Sequence, residues 1–185
     1  MRKLIFFAVL LLAMPVFAQG QDAPKAELFG GYSYLRADDA IDGLDLHGWN
    51  ASFAANLNKW VGLAADFSGH YGDATLVPGT KADLNMHIFT VGPRFSYRGN
   101  DRVTPFAHVL VGAARVDSSY LSRLGKIKNS DSTFALVLGG GLDINANKNL
   151  AFRLFQADYV MTRFDGETQN NFRISTGLVL KLGSQ

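Results

Sequence analysis

From Ala26 to Leu182 the chain repeats one pattern, in which apolar residues alternate with small or polar ones over roughly ten to fourteen positions before a polar break. The last run is the cleanest. Phe172, Ile174, Thr176, Leu178, Leu180 and Leu182 fall on one side of an extended chain, and Arg173, Ser175, Gly177, Val179 and Lys181 on the other. Alternation sustained over that length marks a strand with one face in an apolar medium. Seven earlier runs follow the same rule, at 26–36, 46–57, 60–71, 84–97, 103–116, 133–144 and 150–163. Two of them are irregular. Pro93 sits inside the fourth, where a central strand would lose a ladder donor, so a bulge or a weak strand is expected. In the seventh the alternation fails between Arg153 and Asp158, which predicts a bulge and leaves the inward parity open.

The breaks differ in length. Those at 37–45, 72–83, 117–132 and 164–170 are long and polar, while 56–59, 98–102 and 145–149 have the Asn- and Gly-rich chemistry of tight turns. Long and short connections therefore take turns along the chain. After the N-terminal segment no apolar run is long enough for a spanning helix. Strands of this length would nonetheless cross a bilayer, since a tilted strand needs only ~9–11 residues. The expected fold is all-β: an eight-stranded antiparallel up-and-down transmembrane β-barrel, with short periplasmic turns and longer external loops.

A soluble barrel of eight strands is the competing architecture, and the composition of the two faces decides. A soluble barrel would carry long charged side chains outside. Here the polar face is mostly Gly, Ala, Ser, Asn and Thr with single charges, which suits a narrow lumen. Aromatic residues near the run ends, among them Tyr32, Tyr34, Trp49, Trp60, Tyr71, Tyr97, Phe106 and Tyr159, suit interfacial girdles.

The N-terminus reads as an address. Met1-Arg2-Lys3 precedes an uncharged segment from Leu4 to Gln21, with Val16 and Ala18 as small residues before a cut after Ala18. Residues 1–18 are thus expected to be a signal peptide and 19–185 one barrel domain in the cell outer membrane. Loss of Arg2 and Lys3 leaves 16 basic against 16 acidic residues, so no nucleic-acid partner is suggested. The chain has no Cys, which excludes a disulfide framework and lipoprotein processing.

The closing run carries Ser175, Gly177, Leu180 and Leu182 in a polar-x-Gly-x-x-apolar-x-apolar pattern that resembles the C-terminal assembly signal of bacterial outer-membrane β-barrels. Glu27-Leu-Phe-Gly-Gly-Tyr-Ser-Tyr34, Val91-Gly-Pro-Arg-Phe95 and Pro105-Phe-Ala-His-Val-Leu-Val-Gly-Ala113 add to a resemblance to the OmpA/OmpX/opacity-protein group covering nearly all of 19–185. Members often end on Phe; here Gly183-Ser184-Gln185 follow Leu182. The resemblance implies recognition by the barrel assembly machinery and contact with outer-membrane lipids and lipopolysaccharide. It also implies a lumen plugged by ion pairs.

Glu27, Asp66, Arg94, His108, Asp143, Arg173 and Lys181, with Asp158 depending on the seventh strand, are the ionisable residues expected inside. Arg173 and Lys181 are the candidate partners of Glu27, because the last strand should lie beside the first. A narrow solute channel is the alternative use of these charges. Asp66, Ser68 and His70 share one face and invite a catalytic-triad reading, but residues two apart on a strand are ~6.6 Å apart, beyond hydrogen-bond reach. A lipid A-modifying enzyme is therefore the weaker alternative, and no enzymatic activity or cofactor is expected. Outside, Asp38, Asp39, Asp42, Asp45, Asp165 and Glu167 make one acidic side, while Arg123, Lys126 and Lys128 make the third loop basic. These loops are the candidate surface for a partner. The acidic spacing is not that of a calcium loop, no metal site is expected, and a monomer is.

Overall fold

The computed structural model describes residues 23–37, 44–77, 80–122, 125–164 and 167–184, with the backbone course alone over 73–77, 80–83, 118–122, 125–129, 164, 167 and 184. Eight strands form: β1 (Pro24–Ala37), β2 (Leu44–Asn56), β3 (Val61–Val77), β4 (Thr80–Ser96), β5 (Val103–Ser122), β6 (Gly125–Asn145), β7 (Leu150–Phe164) and β8 (Glu167–Ser184). Each is antiparallel to the next, and β8 returns to β1 through pairs from Ala37↔Asn171 to Pro24↔Ser184. Closure removes the sheet edge that a lipid phase would leave unsatisfied. The expected signal peptide lies outside the described residues.

Burial follows the sequence alternation, with charge on the buried side. On β8, Phe172, Ile174, Leu178, Leu180 and Leu182 are exposed on the outer wall while Arg173, Ser175 and Val179 are buried. The same holds around the barrel, where Leu28, Phe53, Leu63, Phe67, Phe89, Val109, Phe134 and Leu138 face out and Glu27, Asp66, Arg94, His108 and Asp143 face in. An apolar outer wall over a charged interior is stable only when the surrounding solvent is hydrocarbon. Trp60 and Tyr97 pack at a tilt at the periplasmic end (centroids 5.2 Å apart), and Tyr32, Trp49 and Tyr71 gather toward the external end, forming girdles at the two interfaces.

Three expectations are corrected. The described residues of the long breaks at 72–83 and 117–132 are paired strand and not loop: the β3–β4 ladder continues to Val77↔Thr80 and the β5–β6 ladder to Ser122↔Gly125. A loss of apolar alternation marks where the chain leaves the membrane, not where it leaves the sheet, because backbone pairing is indifferent to side-chain polarity. Pro93 causes no bulge. Pairing of β4 with β5 skips Gly92 and Pro93 and resumes in the same register, from Val91↔Val111 to Arg94↔His108. Proline removes one donor, and the flanking pairs keep the register.

The irregularity in β7 is a bulge. Leu142 pairs with Phe155 but Asp143 with Arg153, and on the other side Arg153 pairs with Gly177 but Gln156 with Ser175. The extra residue falls in Leu154-Phe155, both of which point outward at 47% and 45% exposure. The phase flips there, so Arg153, Gln156 and Asp158 all face the lumen.

Candidate functional site: the packed lumen

The barrel interior is the main concentration of polar chemistry among the described residues. Arg98 Nη2 donates to Glu27 Oε1 at 2.7 Å, and Arg94 Nη1 lies 3.0 Å from Glu27 Oε2. Arg94 Nη2 reaches Asp143 Oδ2 (3.2 Å), and Arg153 clamps the same carboxylate through Nε (2.8 Å) and Nη2 (3.1 Å). Arg153 Nη1 donates to Gln156 Oε1 (2.6 Å), and Gln156 Nε2 to Asp158 Oδ2 (2.7 Å). Arg173 then joins Asp158 (2.7 Å) to Asp66 (2.8 Å), and Asn50 Nδ2 donates to Asp66 Oδ2 (2.8 Å). One hydrogen-bonded chain thus runs from the periplasmic rim to mid-barrel. Four carboxylates face four guanidiniums along it, so the buried charge cancels.

Aromatic rings flank the chain. Arg153 lies between Phe29 and Phe106, with its guanidinium carbon 4.1 and 4.3 Å from their centroids, and Arg94 covers Phe106 at 4.1 Å. Planar guanidinium groups can stack while hydrogen-bonding edge-on, so two arginines share one ring without losing their carboxylates. Gly141 makes the space, since a Cβ there would lie 2.9 Å from Phe106 Cζ.

The expected partnership of Glu27 with Arg173 or Lys181 does not form. Register sets Arg173 opposite Leu35, eight residues along β1 from Glu27, or roughly 26 Å at the rise of a strand. Lys181 is opposite Glu27, but its amine donates to Asn145, and Arg94 and Arg98 occupy the carboxylate. Arg98, Arg153 and Gln156 were not among the residues singled out from the sequence. Arg98 lies in a turn. Arg153 and Gln156 enclose two consecutive apolar residues, and that polar–apolar–apolar–polar spacing is the signal a bulge leaves.

Asp66, Ser68 and His70 do not assemble a triad. Asp66 binds Asn50 and Arg173, and Ser68 accepts from Arg173 (2.9 Å). His70 Nε2 meets Ser33 (2.9 Å), which also meets Ser175 (2.9 Å), while His70 Nδ1 has no partner among the described residues. Asp66, Ser68, His70, Ser33 and Ser175 are all buried.

Toward the external end an apolar cluster joins the lumen beside the buried polar side chains of Ser33, His70, Thr162 and Asn171. Leu35, Leu46, Met86, Ile88, Leu110, Val137 and Val160 pack with Ala114 and Ala135 into one buried cluster. Leu35, Ile88 and Val137 share strand parity with Glu27, Arg94 and Asp143, so alternation turns them inward, and only their side chains make this part of the lumen apolar. The residues that resemble an assembly signal divide as strand parity requires: Ser175 is buried in the lumen, and Leu180 and Leu182 are on the wall. Gly177 meets Gly31 across the β1–β8 seam, where a Cβ would lie 2.3 Å from the Gly30 carbonyl oxygen.

At the outer rim Tyr34 donates to Asp45 (2.5 Å), Tyr32 meets His47 (2.5 Å), and Arg115 meets Asp117 (3.2 Å). Burial opposes ionisation of Asp117, but hydrogen bonds from Arg115 and Ser130 and the Arg115 charge hold its carboxyl below the usual range. Asp38, Asp39, Asp42, Asp165 and Arg123 lie outside the described residues, and Glu167, Lys126 and Lys128 are placed by backbone alone. Among the described residues no cluster of three or more His, Cys, Asp or Glu could hold a metal.

A closed, even-stranded barrel with a lipid-facing wall and an ion-paired interior defines an integral barrel of the bacterial outer membrane. The chain belongs to the outer membrane protein beta-barrel domain family, which matches residues 4–180. No curated protein matches it by sequence. Its fold is similar to that of Ail, the attachment invasion locus protein of Yersinia pestis, at 21% identity over 85% of this chain and 99% of that one, TM-score 0.61. It is similar to Neisserial surface protein A at 12% identity over 88% and 100%, TM-score 0.62. It also matches OprG from Pseudomonas aeruginosa at 13% identity over 88% and 98%, TM-score 0.56.

Proposed function

We propose that this protein is a sealed, non-enzymatic barrel that acts through its external surface. The observation that carries the reading is the double closure of the lumen. A neutralised ion-pair chain fills the periplasmic and middle parts, and an apolar cluster joins it on the external side. An ion crossing would have to break buried pairs and then pass the apolar cluster, each of which opposes passage. Purified barrel in planar bilayers should give no stepwise conductance. Steady openings whose amplitude changes in Arg94→Gln would assign a pore instead. Against the enzymatic alternative, Ser68 and His70 are buried and do not pair with one another; unchanged lipid A acylation on overexpression is the corresponding expectation.

Support for a surface role comes from ladder lengths. Strands β3 to β6 stay paired well past the rim, to Ala82↔Tyr120 between β4 and β5, whereas β2–β3 pairing stops at His47↔Tyr71 and β6–β7 at Ala135↔Thr162. A four-stranded external sheet results, with the backbone positions of Lys126 and Lys128 in its β5–β6 ladder. Ail has been solved in complex with the heparin analogue sucrose octasulfate, and a polyanion suits these cations. Retention of the nanodisc-embedded barrel on immobilised heparin, lost in Lys126→Glu/Lys128→Glu, would support that partner. Equal elution of both proteins would reject it.

A further inference from the structure

The lipid-facing wall is uneven near the periplasmic end of β4 and β5. Phe95 pairs directly with Ala107, and Tyr97 N donates to Pro105 O, so tall aromatic side chains on β4 stand beside short ones on β5. Trp60, from the turn before β3, leans over the same place against Tyr97. The result is a groove of about 410 Å³ lined by Trp60, Phe95, Tyr97, Pro105 and Ala107. Beyond Ala107 the wall stays low through Gly140 and Ala157, which share its register on β6 and β7. In a bilayer such a trough lies among acyl chains, just below the headgroups that the Trp60–Tyr97 pair marks.

Charge at that rim is one-sided. The turns at 57–60, 97–102 and 146–149 hold Lys59, Arg98, Arg102 and Lys148 against one acid, Asp101. Arg98 is committed to Glu27. Lys59 sits over the Trp60 ring, Nζ 5.3 Å from the centroid, and Arg102 is exposed three residues before Pro105. Neither makes an ion pair among the described residues. Two free cations therefore flank the headgroup end of an apolar trough.

We propose that this groove is a specific site for an anionic phospholipid of the inner leaflet, with one acyl chain in the trough and the phosphate held by Lys59 and Arg102. An acyl chain fits an open apolar channel that a compact ligand would not fill, and the two cations select headgroup charge. Each basic residue near an anionic headgroup is worth about fivefold in binding, from ~1 kcal/mol per Lys or Arg.

Native mass spectrometry of the detergent-solubilised barrel, with phosphatidylglycerol and phosphatidylcholine offered together, tests the site. The expected spectrum shows one retained lipid, with phosphatidylglycerol favoured about 25-fold, from about fivefold for each of the two cations. Lys59→Gln/Arg102→Gln, confined to exposed turns, should reduce that preference by tenfold or more. Lys148→Gln, on the turn away from the groove, should keep it. Ala107→Trp, which fills the trough, should reduce retention of both lipids. No headgroup preference in the parent, or a preference lost equally in Lys148→Gln, would mean general rim electrostatics and overturn the site. Unaltered retention in Ala107→Trp would likewise remove the acyl-chain seat.

Discussion

His108 Nε2 and Asp158 Oδ1 meet at 2.8 Å across a strand that contributes no side chain between them. His108 is on β5 and Asp158 on β7, and the residue in register between both is Gly139 on β6. A Cβ at Gly139 would lie 2.0 Å from Asp158 Oδ1. The carboxylate therefore occupies the volume a side chain would have taken. Because Asp158 also binds Gln156 and Arg173, this glycine supports the centre of the lumen network.

Gly139→Ala should accordingly destabilise the barrel by about 2 kcal/mol or more, the cost of displacing a buried, hydrogen-bonded carboxylate. Urea titration followed by the heat-dependent gel shift gives the value. Adding His108→Ala should cost less in the Gly139→Ala background than in the parent, since the bond is already broken. Full additivity would show that Gly139 does not act through this pair.

Arg173 neutralises two carboxylates at once, so Arg173→Met should cost about 3–5 kcal/mol, the range for stranding buried charge. Replacing Asp66 and Asp158 with Leu in the same chain should recover most of the loss. If Arg173→Met unfolds at the parent's urea midpoint, the buried pairs are not what holds the lumen closed.

The β7 bulge makes a sharper prediction from deletions. Removing Leu154 erases the extra residue, leaving Arg153 and Gln156 facing inward and the ladders to β6 and β8 regular. Removing Ala157 instead turns either Asp158 or Gln156 toward lipid. Refolding into detergent should give heat-shifting barrel for the Leu154 deletion and little or none for the Ala157 deletion. Similar yields for both would place the irregularity elsewhere.

On the outer wall, Gly69 lies beneath Trp49 and Tyr71, and a Cβ there would meet the indole at 3.0 Å and the Tyr71 hydroxyl at 3.1 Å. These rings can tilt into lipid, so Gly69→Ala should cost only about 1 kcal/mol, the scale of an aromatic contact. It should also shift Trp49 fluorescence, measured with Trp60→Phe to isolate the signal. An unchanged spectrum would mean the indole does not rest on the glycine.

Alternation over eight runs determined the strand count, the antiparallel order and which face meets lipid, because a two-residue period turns each side chain to a fixed side of the wall. It placed Glu27, Asp66, Arg94, His108, Asp143 and Arg173 inside before any contact was known. It could not choose their partners. Glu27 pairs with Arg94 and Arg98 rather than with a neighbour on β8, because long guanidinium side chains reach across the lumen and the register sets Arg173 at another level. The tertiary structure also decided the β7 phase, where two adjacent wall residues compete for one lattice position, and the length of the external sheet, where backbone pairing outruns the apolar signal. The periplasmic groove is legible only once Phe95, Ala107 and Gly140 are side by side. Local chemistry fixes the direction a residue faces; what it meets depends on how the eight strands are staggered when the barrel closes.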